Sequence, residues 1–293
     1  MTSRTLLNLV LALSLAGLIA LAIYEPGKDN KPAVAALTQL DPETIQRIHI
    51  QSTGQPGIEL KKVADHWLML APFSVSANQE RITQLLKITQ AKSLAAYPMD
   101  QVDTRQLHLD EPMLTLTLDD VSLRFGNTAP LGGSRYVQVG NEVHLITDRY
   151  SHLTRTATGL ANPTLLDNGT KITGLHLPTL DLKLDAGHWR LANRDAAHQP
   201  NPDNIQRLLD EWRYARALDI QPLEPPPPSK ASPPLQTIEV VTDSGTRKFV
   251  LQQDDDEVVL QRLDLGLQYH FSREGGQRLL NLPAPKQPET IQQ

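Results

Sequence analysis

Two short alternating runs, Ile48-His49-Ile50 and Leu175-His176-Leu177, open the same pattern twice along the chain. A period of two puts every second side chain on one face, as a half-buried strand requires. In the first copy Ile58-Glu59-Leu60-Lys61 continues the alternation, and a turn leads to Asp65-His66-Trp67-Leu68-Met69-Leu70. In the second, Leu180-Asp181-Leu182-Lys183-Leu184 leads through Asp185-Ala186-Gly187 to His188-Trp189-Arg190-Leu191.

The period then changes. Ile82, Leu85, Leu86 and Thr89 fall at i, i+3, i+4 and i+7, and so do Ile205, Leu208, Leu209 and Trp212. Each set makes one apolar stripe on a helix. Ser76 with Gln79 reads as a capping box, and Asn201-Pro202 as a cap followed by Pro in the first turn. The two helices end alike, in Ala91-Lys92-Ser93-Leu94 and Ala215-Arg216-Ala217-Leu218.

A run of strands closes each copy. The first has Met113–Leu118, Val121–Phe125, Arg135–Val139 and Val143–Ile146; the second has Thr237–Val241, Arg247–Gln252, Glu257–Arg262 and Leu267–Phe271. Turn residues such as Asp119-Asp120, Gly140-Asn141-Glu142 and Asp243-Ser244-Gly245 punctuate them.

Ahead of this duplicated region, Thr5–Tyr24 is apolar apart from Thr5, Asn8 and Ser14. Twenty helical residues span about 30 Å, the thickness of a bilayer core. Ala20-Leu21-Ala22 has the form of a signal-peptide cleavage site, but the run exceeds the roughly 7–15 apolar residues such signals use. The expectation is a signal anchor with the following domains outside the cytoplasm. The predicted fold is therefore α+β: a transmembrane helix followed by two tandem units, each a strand pair plus Trp strand, an amphipathic helix and an antiparallel meander. The predicted segments are an anchor at 1–24, a tether at 25–40, a first repeat at 41–168 and a second at 169–283. Residues 225–234 are a Pro-rich insertion that reads as a stiff spacer, and 284–293 are a disordered tail.

These elements together resemble the domain-of-unknown-function family 4340 of bacterial envelope proteins. The resemblance is carried by Tyr24-Glu25-Pro26-Gly27, Leu40-Asp41-Pro42, Asp65-His66-Trp67-Leu68 with Ala71-Pro72, Leu109-Asp110-Glu111-Pro112, Arg135-Tyr136-Val137 and Asp148-Arg149-Tyr150. It implies a protein tethered at the bacterial inner membrane, with relatives associated with ABC-type export or gliding systems. It implies no reaction, and it transfers no catalytic residue.

Composition narrows the chemistry. The net charge of -5 and the lack of a basic stripe argue against nucleic-acid binding. Without cysteine there is no disulfide, thiolate ligand or thiol nucleophile. Nine histidines show no close metal-ligand spacing. His49 and His176 are expected to face outward with no acidic partner nearby in sequence, while His66 and His188 precede the matched tryptophans. Gly132-Gly133-Ser134 lacks the strand-turn-helix setting of a nucleophile elbow. Asp254-Asp255-Asp256-Glu257 reads as a solvated turn rather than a calcium loop, and Asn168-Gly169-Thr170 is a bare sequon. No catalytic, cofactor or metal residue is assigned. The expected function is that of a non-catalytic accessory subunit with an envelope protein partner. Two alternatives stand beside it: a lipid- or glycan-binding protein using the cleft between repeats, and a hydrolase with a site assembled in space.

Overall fold

The computed structural model describes residues 35–130, 132–192, 199–223 and 236–283, together with Ser14, Leu15 and Gly17. In the first repeat the strands are β1 (Arg47–Ser52), β2 (Ile58–Val63), β3 (His66–Ala71), β4 (Val75–Ser76), β5 (Ser93–Pro98), β6 (Leu114–Leu118), β7 (Val121–Thr128), β8 (Ser134–Val139) and β9 (Glu142–Thr147). Helix α1 (Gln79–Leu86) lies between β4 and β5, and α2 (Ala157–Leu160) follows β9. The second repeat has β10 (Ile172–Leu177), β11 (Leu180–Asp185), β12 (His188–Leu191), α3 (Pro202–Tyr214), β13 (Asp219–Pro222), β14 (Gln236–Thr242), β15 (Gly245–Gln253), β16 (Glu257–Arg262), β17 (Leu267–Ser272) and α4 (Arg273–Leu280).

Each repeat is one antiparallel sheet. The first runs β4-β3-β2-β1-β6-β7-β8-β9-β5 and the second β12-β11-β10-β14-β15-β16-β17-β13. Apart from β4 the two orders are the same, strand for strand. The leading hairpin pairs directly with the meander, through β1–β6 and β10–β14. The chain then crosses by way of the helix to the far edge, where β5 joins β9 and β13 joins β17.

This corrects the α+β expectation. The strand pair, Trp strand and meander are not separate pieces beside a helix but parts of one sheet per repeat, and antiparallel sheet dominates the described residues. Helices α1 and α3 each cover one face of a sheet. The anchor placed at 1–24 lies outside the described residues apart from Ser14, Leu15 and Gly17. No helix among the described residues is long and apolar enough to cross a membrane. Most of the expected tether (residues 25–34), the Pro-rich run 225–234 and the tail 284–293 also lie outside them.

Burial follows the two periods. Ile48 and Ile50 point inward and His49 outward on β1; Leu175 and Leu177 are buried on β10. The stripes Ile82, Leu85, Leu86, Thr89 and Ile205, Leu208, Leu209, Trp212 are buried throughout. They close two hydrophobic cores, and Phe73 and Val75 pack against both. Helix α3 is capped by Asn201 as expected, its side chain accepting from Asp203 N. Helix α1 is capped by Asn78, not Ser76. Ser76 belongs to β4, and Gln79 turns back to hold the backbone N–H and C=O of Trp67 at 2.9 and 3.0 Å.

A lead-in segment precedes each first strand. Ser93 N donates to Ala35 O in the first repeat, and Ala217 N donates to Pro163 O in the second. The bridges Ala36↔Lys92 and Thr164↔Arg216 repeat the same pairing. The second lead-in has partners on both sides: Asn162 N donates to Ser76 O and Asn78 N to Leu160 O. It thereby covers the β4 edge of the first sheet, an exposed edge being an invitation to foreign pairing.

Candidate functional site

Counted from the Trp strands, His49 and His176 occupy the same place. His49 pairs with Glu59 and Thr117, and His176 with Asp181 and Glu239. The next strand continues both rows, with Thr117 Oγ1 3.0 Å from Ser122 Oγ and Lys248 Nζ 2.8 Å from Glu239. His176 Nδ1 lies 2.7 Å from Asp181 Oδ1, without the alignment of a hydrogen bond. An acidic partner is therefore present after all: Asp181, five residues on, which the β10–β11 hairpin brings alongside His176. Both rows lie on the outer faces, away from the cores.

His66 and His188 are exposed, and Trp67 is buried while Trp189 is half-buried. The acidic run forms an Asx turn: Asp254 Oδ1 accepts from Asp256 N and Glu257 N, which lowers its pKa. Ser134 sits in β8 and not at an elbow. Among the described residues no group of three His, Asp or Glu side chains could hold a metal ion.

One constellation meets the composition of a hydrolase triad. Ser93 Oγ lies 3.1 Å from His144 Nδ1, and His144 Nε2 lies 3.6 Å from Glu142. Its wiring is wrong for a nucleophile. Ser93 donates its hydroxyl proton to Ala95 O at 2.9 Å, so it accepts from the imidazole instead of yielding a proton to it. Both residues are buried. Burial pulls the His144 pKa down, against the opposing pull of Glu142. The family-like motifs Arg135-Tyr136-Val137 and Asp148-Arg149-Tyr150 also meet: Arg135 Nε donates to Asp148 at 2.6 Å and Nη1 to Gly126 O. Burial would raise the Asp148 pKa, but hydrogen bonds from Ser151 and Arg135 outweigh it and leave the value lowered. This is a lock on the end of β9, not a reaction centre.

Several departures from repeat symmetry lie elsewhere, at the seam. Beyond the His rows, the β6–β7 hairpin closes after a single further pair, Leu118↔Val121. The β14–β15 hairpin continues through Val240↔Arg247 and Val241↔Thr246 to Thr242↔Gly245. Only Gly140 and Asn141 separate β8 from β9, whereas Leu263, Asp264, Leu265 and Gly266 separate β16 from β17. From the other side come the last residues of β3 and the added strand β4. The longer β16–β17 turn and the added β4 help enclose a cleft of about 340 Å³ between the repeats, with Leu68, Leu70, Val75, Leu165 and Leu265 among its apolar walls. Its size falls at the low end of the roughly 300–1,000 Å³ of ligand sites. A second, polar hollow of about 380 Å³, reaching His66, Glu80 and Arg216, adjoins it. The two share Ser76, Asn162, Thr164 and Asp167, and the 2.7 Å bond from Ser76 Oγ to Asp167 stands between them.

Sheet 2 supplies the polar groups of the cleft from its inner face. Arg262, buried against the Phe249 ring at 5.4 Å, grips Asp264 through Nε and Nη2 at 2.9 and 2.8 Å. That hydrogen bond holds the Asp264 carboxyl below its ordinary value. Tyr269, only 4% exposed, also lines the cleft. Burial raises its pKa; Arg262 opposes this, and Asp264 and Asp167 add to it. The phenol is therefore a neutral donor. Arg262, Tyr269 and Arg247 were not singled out from the sequence. In sequence Arg247 and Arg262 are ordinary strand ends; in register they take the places of Val121 and Val139, and the longer β16–β17 turn sets Asp264 and Leu265 beside them.

A family model described as Domain of unknown function (DUF4340) matches residues 67–236. No curated protein and no solved structure gives a match.

Proposed function

Since the chain belongs to the family Domain of unknown function (DUF4340), we propose that it is a non-catalytic accessory subunit of a bacterial envelope assembly of the ABC-type export kind. Its folded part works on the outer side of the inner membrane and holds a protein partner at the seam between its repeats. The observation that carries this reading is the placement of asymmetry. Two units that share a strand order differ where they face each other, and the extra segments of both build one cleft. Packing alone would not require the longer hairpins, since the first repeat closes its own core without them. Support also comes from Leu70, half-exposed at the cleft, and from Leu263 in the neighbouring turn, 59% exposed. Apolar side chains left open beside polar ones are the usual make-up of a contact surface. The apolar run Thr5–Tyr24 of the sequence supports the location.

The test is crosslinking in intact cells, detergent extraction and mass spectrometry of whatever is joined to the chain. Recovery of a defined set of inner-membrane proteins is the expected result. Recovery of the chain alone, with a control complex crosslinked in the same cells, overturns the reading.

A further inference from the structure

Inside the seam cleft, donors and acceptors are unevenly engaged. Asp264 already receives both Arg262 bonds, and Asp167 receives the Ser76 hydroxyl. The Arg247 guanidinium, by contrast, makes no ion pair or hydrogen bond among the described residues, though it lies close enough to Asp264 to help depress that carboxyl. The Tyr269 side chain makes no hydrogen bond among the described residues either, although most of it is buried and it lines the cleft. Its hydroxyl is not among the buried atoms left unpartnered, so it is open to the cleft and can donate to a ligand there. The unused capacity of this cleft is thus donor capacity, one cation and one phenol on the same inner face of sheet 2. What fits it is an acceptor with negative charge.

The surroundings define the rest of the ligand. Leu68, Leu165 and Leu265 offer room for an apolar side chain beside that charge. Ser74, Asn162 and Thr164 lie between them, and a peptide backbone can use such groups whereas a hydrocarbon chain cannot. We propose that the cleft captures the free C-terminus of a partner polypeptide, its carboxylate taken by Arg247 and Tyr269 and its last apolar side chain seated among the leucines. Capture of a terminal carboxylate by positioned donors is a recurrent way of recognising a chain end. This names the kind of partner segment and rests on the reading of the seam as a partner site.

The test is an array of pentapeptides with apolar last residues, each in free-acid and carboxamide form, titrated against the full-length protein in detergent. Free acids are expected to bind at least tenfold more tightly than their amides. Arg247→Gln and Tyr269→Phe should each erase most of that difference, while Ser122→Ala, on the outer face of the first sheet, leaves it unchanged. Equal binding of acids and amides, no binding by any member, or displacement of the peptides by lauric acid at lower concentration than by any peptide would each overturn the inference. If one of these outcomes coincides with recovery of a crosslinked partner through the seam, the accessory-subunit reading stands and only the C-terminal mode falls. Should the cell experiment recover nothing while acids still beat amides, the reverse holds.

Discussion

The two repeats run through the same strand order, yet they stabilise themselves differently. The helix position that carries Trp212 in the second is filled by Thr89 in the first. Trp212 tilts against Phe249 with ring centroids 5.6 Å apart and donates its indole N–H to Leu279 O at 2.8 Å. Thr89 is equally buried but returns its hydroxyl to Leu86 O. The first repeat places polar locks where the second has none: Arg135 with Asp148, and His144 with Ser93. In register, Arg135 corresponds to Val258 and His144 to Tyr269. The second has its own at other positions, Arg262 with Asp264 and His270 with Glu257. One topology is thus held by different partners at equivalent positions of the two copies. What both copies share is the fold; what they do not share points to the work each does.

The largest effect should come from that core. Trp212→Ala is expected to cost about 3–5 kcal/mol, as for other aromatic truncations, whereas Thr89→Ala costs about 1 kcal/mol; urea unfolding of the two variants measures the contrast. Next comes the lock. Arg135→Met leaves the part-buried Asp148 without its cation and should cost about 1–3 kcal/mol, less than halving a fully buried pair. Because the folded Asp148 pKa is lowered, the stability it contributes is present above the ordinary carboxylate value and lost as pH falls through the folded one. Acid unfolding of Asp148→Asn should lack that component.

Two glycines sharpen the comparison. A methyl at Gly126 would overlap the backbone carbonyl of Leu107, and one at Gly276 the side chain of Val258. Each Ala variant should lose about 1–3 kcal/mol, and neither clash is relieved by a side-chain rotation, since Val258 meets the new methyl at its own Cβ. His144 gives a subtler signal. Its folded pKa lies below 6.5, so its contribution is whole above that value and declines as pH drops through the folded pKa. His144→Gln should remove this part of the melting-temperature slope, and the second repeat, with Tyr269 in that place, should show none. Smallest of all, Ser76→Ala breaks a solvent-accessible seam bond and should cost no more than about 1 kcal/mol.

Much of the architecture was legible because burial leaves a local period. The eight meander strands, the two Trp strands and both helix stripes are readable from a few residues each. Strands β5 and β13 were not, since Ala95-Ala96-Tyr97-Pro98 and Asp219-Ile220-Gln221-Pro222 carry no clean alternation and owe their state to the edge they join. The cap was misplaced by two residues because Ser76, the better-looking capping residue, is claimed by Asp167. The seam cleft left no sequence signal at all. It depends on the β16–β17 turn being longer than its counterpart and on the added β4, and such length matters only once the registers can be laid side by side. The meeting of Arg135 with Asp148 shows the same limit, for the two motifs were visible singly and their contact was not.

The central claim is that partner binding lives at the seam where the repeats differ. The direct measurement places a photo-crosslinking amino acid at Leu70 beside the cleft, and in parallel at Met113, exposed on the first sheet away from it. The account expects a discrete crosslinked partner from position 70 and none from 113. The same partner captured equally well from both positions, or from 113 alone, would contradict it.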